Sequence, residues 1–110
     1  AISISEIDTM GESQELYSGL IRLHILHHAV KEEIFGLAIM EELGRHGYKI
    51  SAGTLYPLLH GLEKKGLLKS KRVRLDGRFR RTYRATPKGK KALEDAKEKV
   101  SELFGELFEE

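Results

Sequence analysis

Hydrophobic positions recur with helical or extended periods along most of the chain. From Ser13 to about Lys31, Leu16, Leu20, Leu23, Ala29 and Val30, with Ile21, Ile25 and Leu26, cover more than one face of a helix. A helix that is apolar on two sides is buried on two sides. In a chain of 110 residues the second side is expected to meet another subunit. A second helix fits Phe35 to His46, with Leu37, Ile39, Met40 and Leu43 as its buried stripe and Gly47 as the left-handed residue beyond its end. Tyr48-Lys49-Ile50 reads as a short extended piece. Ser51 then suits the N-cap of a third helix reaching Lys65, in which Leu55, Leu58, Leu59 and Leu62 share one face. Gly66 stops it, and Leu67 can fold back on its last turn. Lys69 to Leu75 and Arg78 to Ala85 are strand-length runs around Asp76-Gly77, a pair that accepts the positive φ angles of a type I′ turn. Thr86 caps a last helix with Pro87 at its first position. Along that helix Leu93, Ala96, Val100, Leu103, Phe104 and Leu107 form a short heptad seam suited to a helix partner, which Gly105 weakens by about 1 kcal/mol relative to Ala.

The fold class is therefore mainly α with a small β-hairpin, an α+β arrangement. The order predicts a winged helix-turn-helix followed by a long C-terminal dimerisation helix, with the third helix as the major-groove reader. Residues 1–12 show no clear period and are expected to be a flexible N-terminal segment. Residues 13–86 are assigned to the DNA-binding domain and 87–110 to the dimerisation helix.

Composition narrows the function. Cysteine is absent, which excludes disulfides, thiolate metal sites and thiol nucleophiles, and favours a reducing compartment. No apolar run approaches the ~20 residues that span a bilayer, and the first residues do not resemble a secretion signal. A cytoplasmic protein without a membrane partner is the expectation. No Gly-rich phosphate loop, carboxylate pair or activated nucleophile stands out, so neither an enzyme nor a cofactor is expected.

Charge sharpens the picture more than any other property. The net charge is only +2, but it is segregated. Residues 1–63 hold 4 Lys/Arg against 9 acids; residues 64–91 hold 13 Lys/Arg against Asp76 alone; residues 92–110 hold 2 Lys against 7 acids. The basic block coincides with the hairpin, where Lys69, Lys71, Arg72, Arg74, Arg78, Arg80, Arg81 and Arg84 cluster. A turn at Asp76-Gly77 sets Arg72 opposite Arg81 and Lys69 opposite Arg84. Like charges directly opposed destabilise a strand pair, and phosphates of a nucleic acid would neutralise them. The alternative is a solvated edge guarded by charge, although that device usually mixes signs. Lys88, Lys90 and Lys91 stand in the first turn of the last helix, where the macrodipole disfavours cations. A bound phosphate would offset the mismatch, and so would simple exposure.

On the third helix the outer face carries Ser51, Gly53, Thr54, Tyr56, Pro57, His60 and Lys64. Ala52, Gly53 and Gly61 permit close backbone approach, and Thr54, Tyr56 and His60 can donate to phosphates or base edges. No outward Arg is available there for guanine, so part of the specificity is expected from DNA shape. Tyr56 could instead be a half-buried packing residue. His24 and His28 are four apart on the first helix, a spacing that can share a metal, and Glu32 continues the stripe. Nothing else in the chain completes a ligand set by sequence, since His46 and His60 lie on other elements. Surface or interface histidines are the plainer reading, and no metal is assigned.

The run Ser51-Ala52-Gly53-Thr54-Leu55-Tyr56-Pro57-Leu58-Leu59, followed by Leu62-Glu63-Lys64-Lys65-Gly66-Leu67-Leu68, resembles the recognition-helix segment of the PadR-type transcriptional regulators. Gly77-Arg78 and Tyr83-Arg84-Ala85-Thr86-Pro87-Lys88-Gly89 are similar to that family's wing and the start of its last helix. The proline so far inside a helix makes the first motif fairly specific. The resemblance implies a homodimeric winged-helix regulator, usually a repressor, of the short-tailed kind. Pairing through the first and last helices is implied, which here points to Leu16, Leu20, Leu93, Val100, Leu103, Phe104 and Leu107. Some members bind a small, often aromatic, effector near the dimer interface and release DNA. This chain has Phe35-Gly36-Leu37 where the family often has His-Gly-Tyr, Gly61 where a polar residue is commoner, and no Trp to stack on an aromatic ligand. The expected function is sequence-specific binding of double-stranded DNA as a homodimer. The rivals are a protein- or RNA-interaction module and a metal-responsive regulator.

Overall fold

The computed structural model describes residues 3–109, with side chains from Glu15 to Glu109. Four helices and three short strands follow in the order α1 (Ser3–Lys31), β1 (Ile34–Phe35), α2 (Gly36–Arg45), α3 (Ala52–Lys64), β2 (Leu68–Leu75), β3 (Arg78–Ala85) and α4 (Pro87–Phe108). The strands form one antiparallel sheet in the order β1-β3-β2.

Local signals explain most boundaries. Gly47 (φ 88°) and Gly66 (φ 80°) adopt the left-handed conformation just beyond α2 and α3. In both places the next residue folds its N–H back five positions, Tyr48 to the Leu43 carbonyl and Leu67 to the Leu62 carbonyl, each at 2.9 Å. These are Schellman closures, which use up helix carbonyls that would otherwise be orphaned. Asp76 (φ 53°) and Gly77 (φ 75°) make the two-residue turn. The resulting register sets Arg72 opposite Arg81 and Lys69 opposite Arg84. Thr86 caps α4, its hydroxyl oxygen accepting the Gly89 N–H at 3.0 Å.

Three expectations change. The α1 backbone is helical from Ser3, ten residues before the expected start at Ser13; residues 1 and 2 lie outside the described residues. That stretch lacks proline, and extending a helix already held by packing costs far less than starting one. The short strand is not Tyr48-Lys49-Ile50. It is Ile34–Phe35, which pairs with Tyr83 and Thr82 and so covers one edge of β3. Ser51 occupies the N-cap of α3 with extended backbone, but its side chain makes no capping bond.

The core lies where α1, α2, α3 and the base of the sheet converge. Ile21, Ile25, Leu26 and Ala29 of α1 meet Ile39 and Leu43 of α2, Leu55, Leu59 and Leu62 of α3, and Leu68 and Tyr83 of the sheet. Leu93 of α4 also belongs to it. That corrects the assignment of Leu93 to a subunit interface, because its side chain is already buried in the core of its own chain. Leu16 and Leu20 on α1 remain exposed, as do Val100, Leu103, Phe104, Leu107 and Phe108 on α4. The buried Thr82 is satisfied by Glu33, whose Oε1 accepts its hydroxyl at 2.6 Å. Among the described residues no helix is long and apolar enough to cross a membrane.

Candidate nucleic-acid interface

With Leu55, Leu59 and Leu62 inward, α3 turns Gly53, Tyr56, Pro57, His60 and Lys64 to solvent, and Thr54 is half-buried. Ser51 Oγ reaches Thr54 Oγ1 at 3.5 Å rather than a helix N–H. The N-terminus of α3, the end of a helix that favours anions, therefore lacks a side-chain cap from Ser51.

Tyr56 packs on a neighbouring element, one of the two readings considered for it. Its ring lies against the backbone of Gly36 at the start of α2, so close that a Cβ on Gly36 would fall 2.8 Å from the hydroxyl. The residue as a whole stays 43% exposed. The Gly36 that separates Phe35 from Leu37 is thus the seat of the tyrosine, which the sequence pattern did not reveal.

Facing α3 across an open groove of about 950 Å³ stands the hairpin, with Arg78, Phe79, Arg80 and Arg81 on its wall and Tyr56, His60 and Glu63 opposite. Glu63 fixes the base of the groove. Its Oε2 accepts Ser70 Oγ at 2.7 Å and the Ser70 N–H at 3.2 Å, and Arg81 in turn donates to Ser70 Oγ at 3.1 Å. Further out, the Arg72 guanidinium lies 4.3 Å from the centre of the Phe79 ring and that of Arg74 lies 5.6 Å away. This exposed phenylalanine holds two like charges side by side through its π face. Sequence reasoning missed it; the available signal was the register, which places Phe79 directly opposite Arg74.

Not every basic residue is equally free. Lys71 Nζ sits 3.3 Å from Glu33 Oε1. The Lys88 ammonium donates to the Lys65 carbonyl at 3.0 Å. A cation there satisfies the negative C-terminal end of α3, which accounts for one lysine in the first turn of α4 without any phosphate. Lys69, Arg78, Arg80 and Arg84 are exposed.

The Glu33 carboxyl is held below its ordinary range, first by the Thr82 hydroxyl and then by Lys71. A group depressed on folding adds stability above its unfolded pKa and loses it as pH falls through the folded one. The stability advantage of the native chain over Glu33→Gln should therefore be constant at neutral pH. It should shrink below about pH 4.3, the unfolded value. Urea unfolding across an acid series checks this, and an advantage independent of pH would refute it.

The histidines are arranged differently from the sequence expectation. His24 and His28 share a face of α1, and His46, at the C-cap of α2, joins them. Burial, then the neighbouring His46, His28 and His27, keep the His24 imidazole below its usual pKa.

Comparison with known proteins settles the family. A profile of the "Transcriptional regulator PadR-like family" matches residues 25–95. The chain belongs to the PadR-like family of transcriptional regulators. It is 50% identical over 95 residues to "Transcriptional regulator Rv3488" of Mycobacterium tuberculosis strain H37Rv, covering 86% of this chain and 89% of that one. A PadR family regulator from Eggerthella lenta DSM 2243 superposes with a TM-score of 0.77 at 30% identity, over 99% of this chain and 98% of the other. A PadR-like regulator from Bacillus cereus strain ATCC 14579 gives 0.74 at 29% identity, over 87% and 98%. This PadR-like chain is thus a winged-helix transcriptional regulator with a C-terminal helix, as its motifs implied.

Proposed function

We propose that this PadR-like regulator is a homodimeric, sequence-specific DNA-binding repressor. The groove between α3 and the hairpin carries the reading, with arginines on one wall and Tyr56 and His60 on the other. A phosphate strand fits the groove while the outer face of α3 enters the major groove beside it. Thr54, Tyr56 and His60 set position and part of the specificity, with Ser51, Gly53, Pro57 and Lys64 flanking them. Lys69, Arg72, Arg74, Arg78, Arg80 and Arg81 supply affinity. Lys71 and Lys88 contribute less, being held by Glu33 and Lys65. In a twofold dimer the two α3 helices read half-sites about 34 Å apart. Repression by occupying the site is the mode that the family resemblance implies. Titration of genomic fragments at rising salt tests the DNA reading. Affinity should fall by orders of magnitude, because several phosphates are neutralised and counterions released. A flat salt response sinks it.

Pairing is assigned to the apolar surface of α1 and α4. Leu16 is 75% exposed, Leu103 54% and Phe104 63%, more apolar area than a solvated helix face retains without a partner. Between the two helices lies an apolar cleft of about 430 Å³, lined by Leu20, Leu23, His27, Val100 and Phe104. It has the size and character of a small-molecule site, and a small aromatic effector bound there would act on the pairing helices. Replacing both Leu103 and Phe104 by Glu should halve the mass in solution measured by light scattering. An unchanged mass would show that α4 is not the pairing element.

A further inference from the structure

We propose that His24, His28 and His46 form a binding site for a divalent late first-row transition-metal ion, Zn²⁺ or a close neighbour. Glu42 is hydrogen-bonded to one of the imidazoles and stands beside a second. One ligand atom from each histidine lies within 4.8 Å of the others. A tetrahedral ion with metal–nitrogen bonds of about 2.0–2.1 Å needs roughly 3.3 Å between ligand atoms, a contraction that side-chain rotation can supply. The geometry has three independent parts. His24 and His28 are spaced i, i+4 on α1, so both rings leave the helix on one side. His46, the C-cap residue of α2, places its ring 4.7 Å from that of His24. Glu42, one turn earlier on α2, has Oε2 3.2 Å from His46 Nε2 and 3.8 Å from His28 Nε2.

The chemistry selects the class of ion. Three neutral imidazoles and no thiolate suit Zn²⁺, Ni²⁺ or Cu²⁺ better than the hard cations Mg²⁺ and Ca²⁺. Neutral ligands leave the charge of the ion uncompensated, and the adjoining cleft of about 230 Å³ carries Glu32, Glu41 and Glu42 against Arg45. A carboxylate that orients ligating histidines is a recurrent companion of such sites. The fourth position is left for water. The ion ties the end of α2 to α1, and so couples the first helix of the helix-turn-helix to a pairing helix. It lies apart from the groove between α3 and the hairpin, so binding can be measured without DNA.

Calorimetric titration of the chelator-treated full chain with Zn²⁺ tests the site, alongside Co²⁺ absorption spectra. The expected result is one ion per chain, a higher Tm with Zn²⁺, and tetrahedral Co²⁺ bands. His46→Ala, at an exposed position, should weaken binding at least tenfold and abolish the bands. Glu42→Gln should weaken it tenfold or more. His27→Ala, whose ring lines the cleft towards α4, should bind like the native chain. Absence of saturable binding, equal affinity in His46→Ala, or an equal loss in His27→Ala would overturn the proposal.

Discussion

Replacing Gly89 by alanine should destabilise the fold by about 3 kcal/mol, at the upper end of overpacking penalties. A Cβ at this position would fall 2.0 Å from the Leu67 carbonyl oxygen and 2.9 Å from its carbon. The obstacle is backbone, and that oxygen already accepts the Thr86 N–H at 3.1 Å. Relief requires the first turn of α4 to lift away from the end of α3. That movement breaks the 2.6 Å bond from the Thr86 hydroxyl to the Gly66 carbonyl and the 3.0 Å bond from Lys88 to Lys65. It also loosens Leu93, which is 6% exposed. For a domain of this size the shift in Tm should be on the order of 10–20 °C. Gly105→Ala is the control with opposite sign. Nothing lies within 4 Å of its added Cβ, so the better helix propensity of alanine should stabilise α4 by up to about 1 kcal/mol. Thermal unfolding of the two variants checks both; a Gly89→Ala chain as stable as the native one would refute the close approach.

Gly89 also shows where sequence reading runs out. Within the chain it looks like a helix glycine, a small local cost. Its reason is the carbonyl of a residue 22 positions earlier, which no periodicity encodes. The elements that can be read have strong local causes. Leu55, Leu59 and Leu62 fall on one face of a helix; Asp76-Gly77 accepts positive φ; Thr86-Pro87 caps and starts α4. The hairpin register, and hence the opposed Arg72 and Arg81, follows from the turn alone. By contrast β1 is two residues long and exists because β3 has an edge to be covered. Lys88 reads as one more cation of the basic block, and only the lean of α4 on α3 gives it a partner. His46 lies on a different element from His24 and His28, one turn beyond Glu42, and the packing of α2 on α1 brings it beside them. Charge clustering and helix faces are properties of short segments and are legible in the sequence. Which charges are free and which histidines meet depend on how α1, α2, α3 and α4 pack.

That difference in freedom decides the second large effect. The double substitution Arg78→Ala with Arg80→Ala should weaken DNA binding about a hundredfold or more at physiological salt. Each charge-assisted hydrogen bond to a phosphate contributes about 1.5–3 kcal/mol. Both residues line the groove beside α3, and in the strand register they oppose Leu75 and Val73 rather than acids. The slope of log affinity against log salt should become shallower by about 1.8, at roughly 0.9 for each phosphate no longer neutralised. Stability should change by no more than about 0.5 kcal/mol, since both side chains are exposed. Lys71→Ala should weaken affinity less, because Glu33 already neutralises that ammonium. Lys88→Ala should act mainly on the fold, through the Lys65 carbonyl it leaves unpaired. Anisotropy titrations at four salt concentrations, with unfolding curves on the same preparations, separate these outcomes. Equal slopes for the native chain and the double variant would mean that the arginines at the tip of the hairpin do not touch the backbone of the DNA.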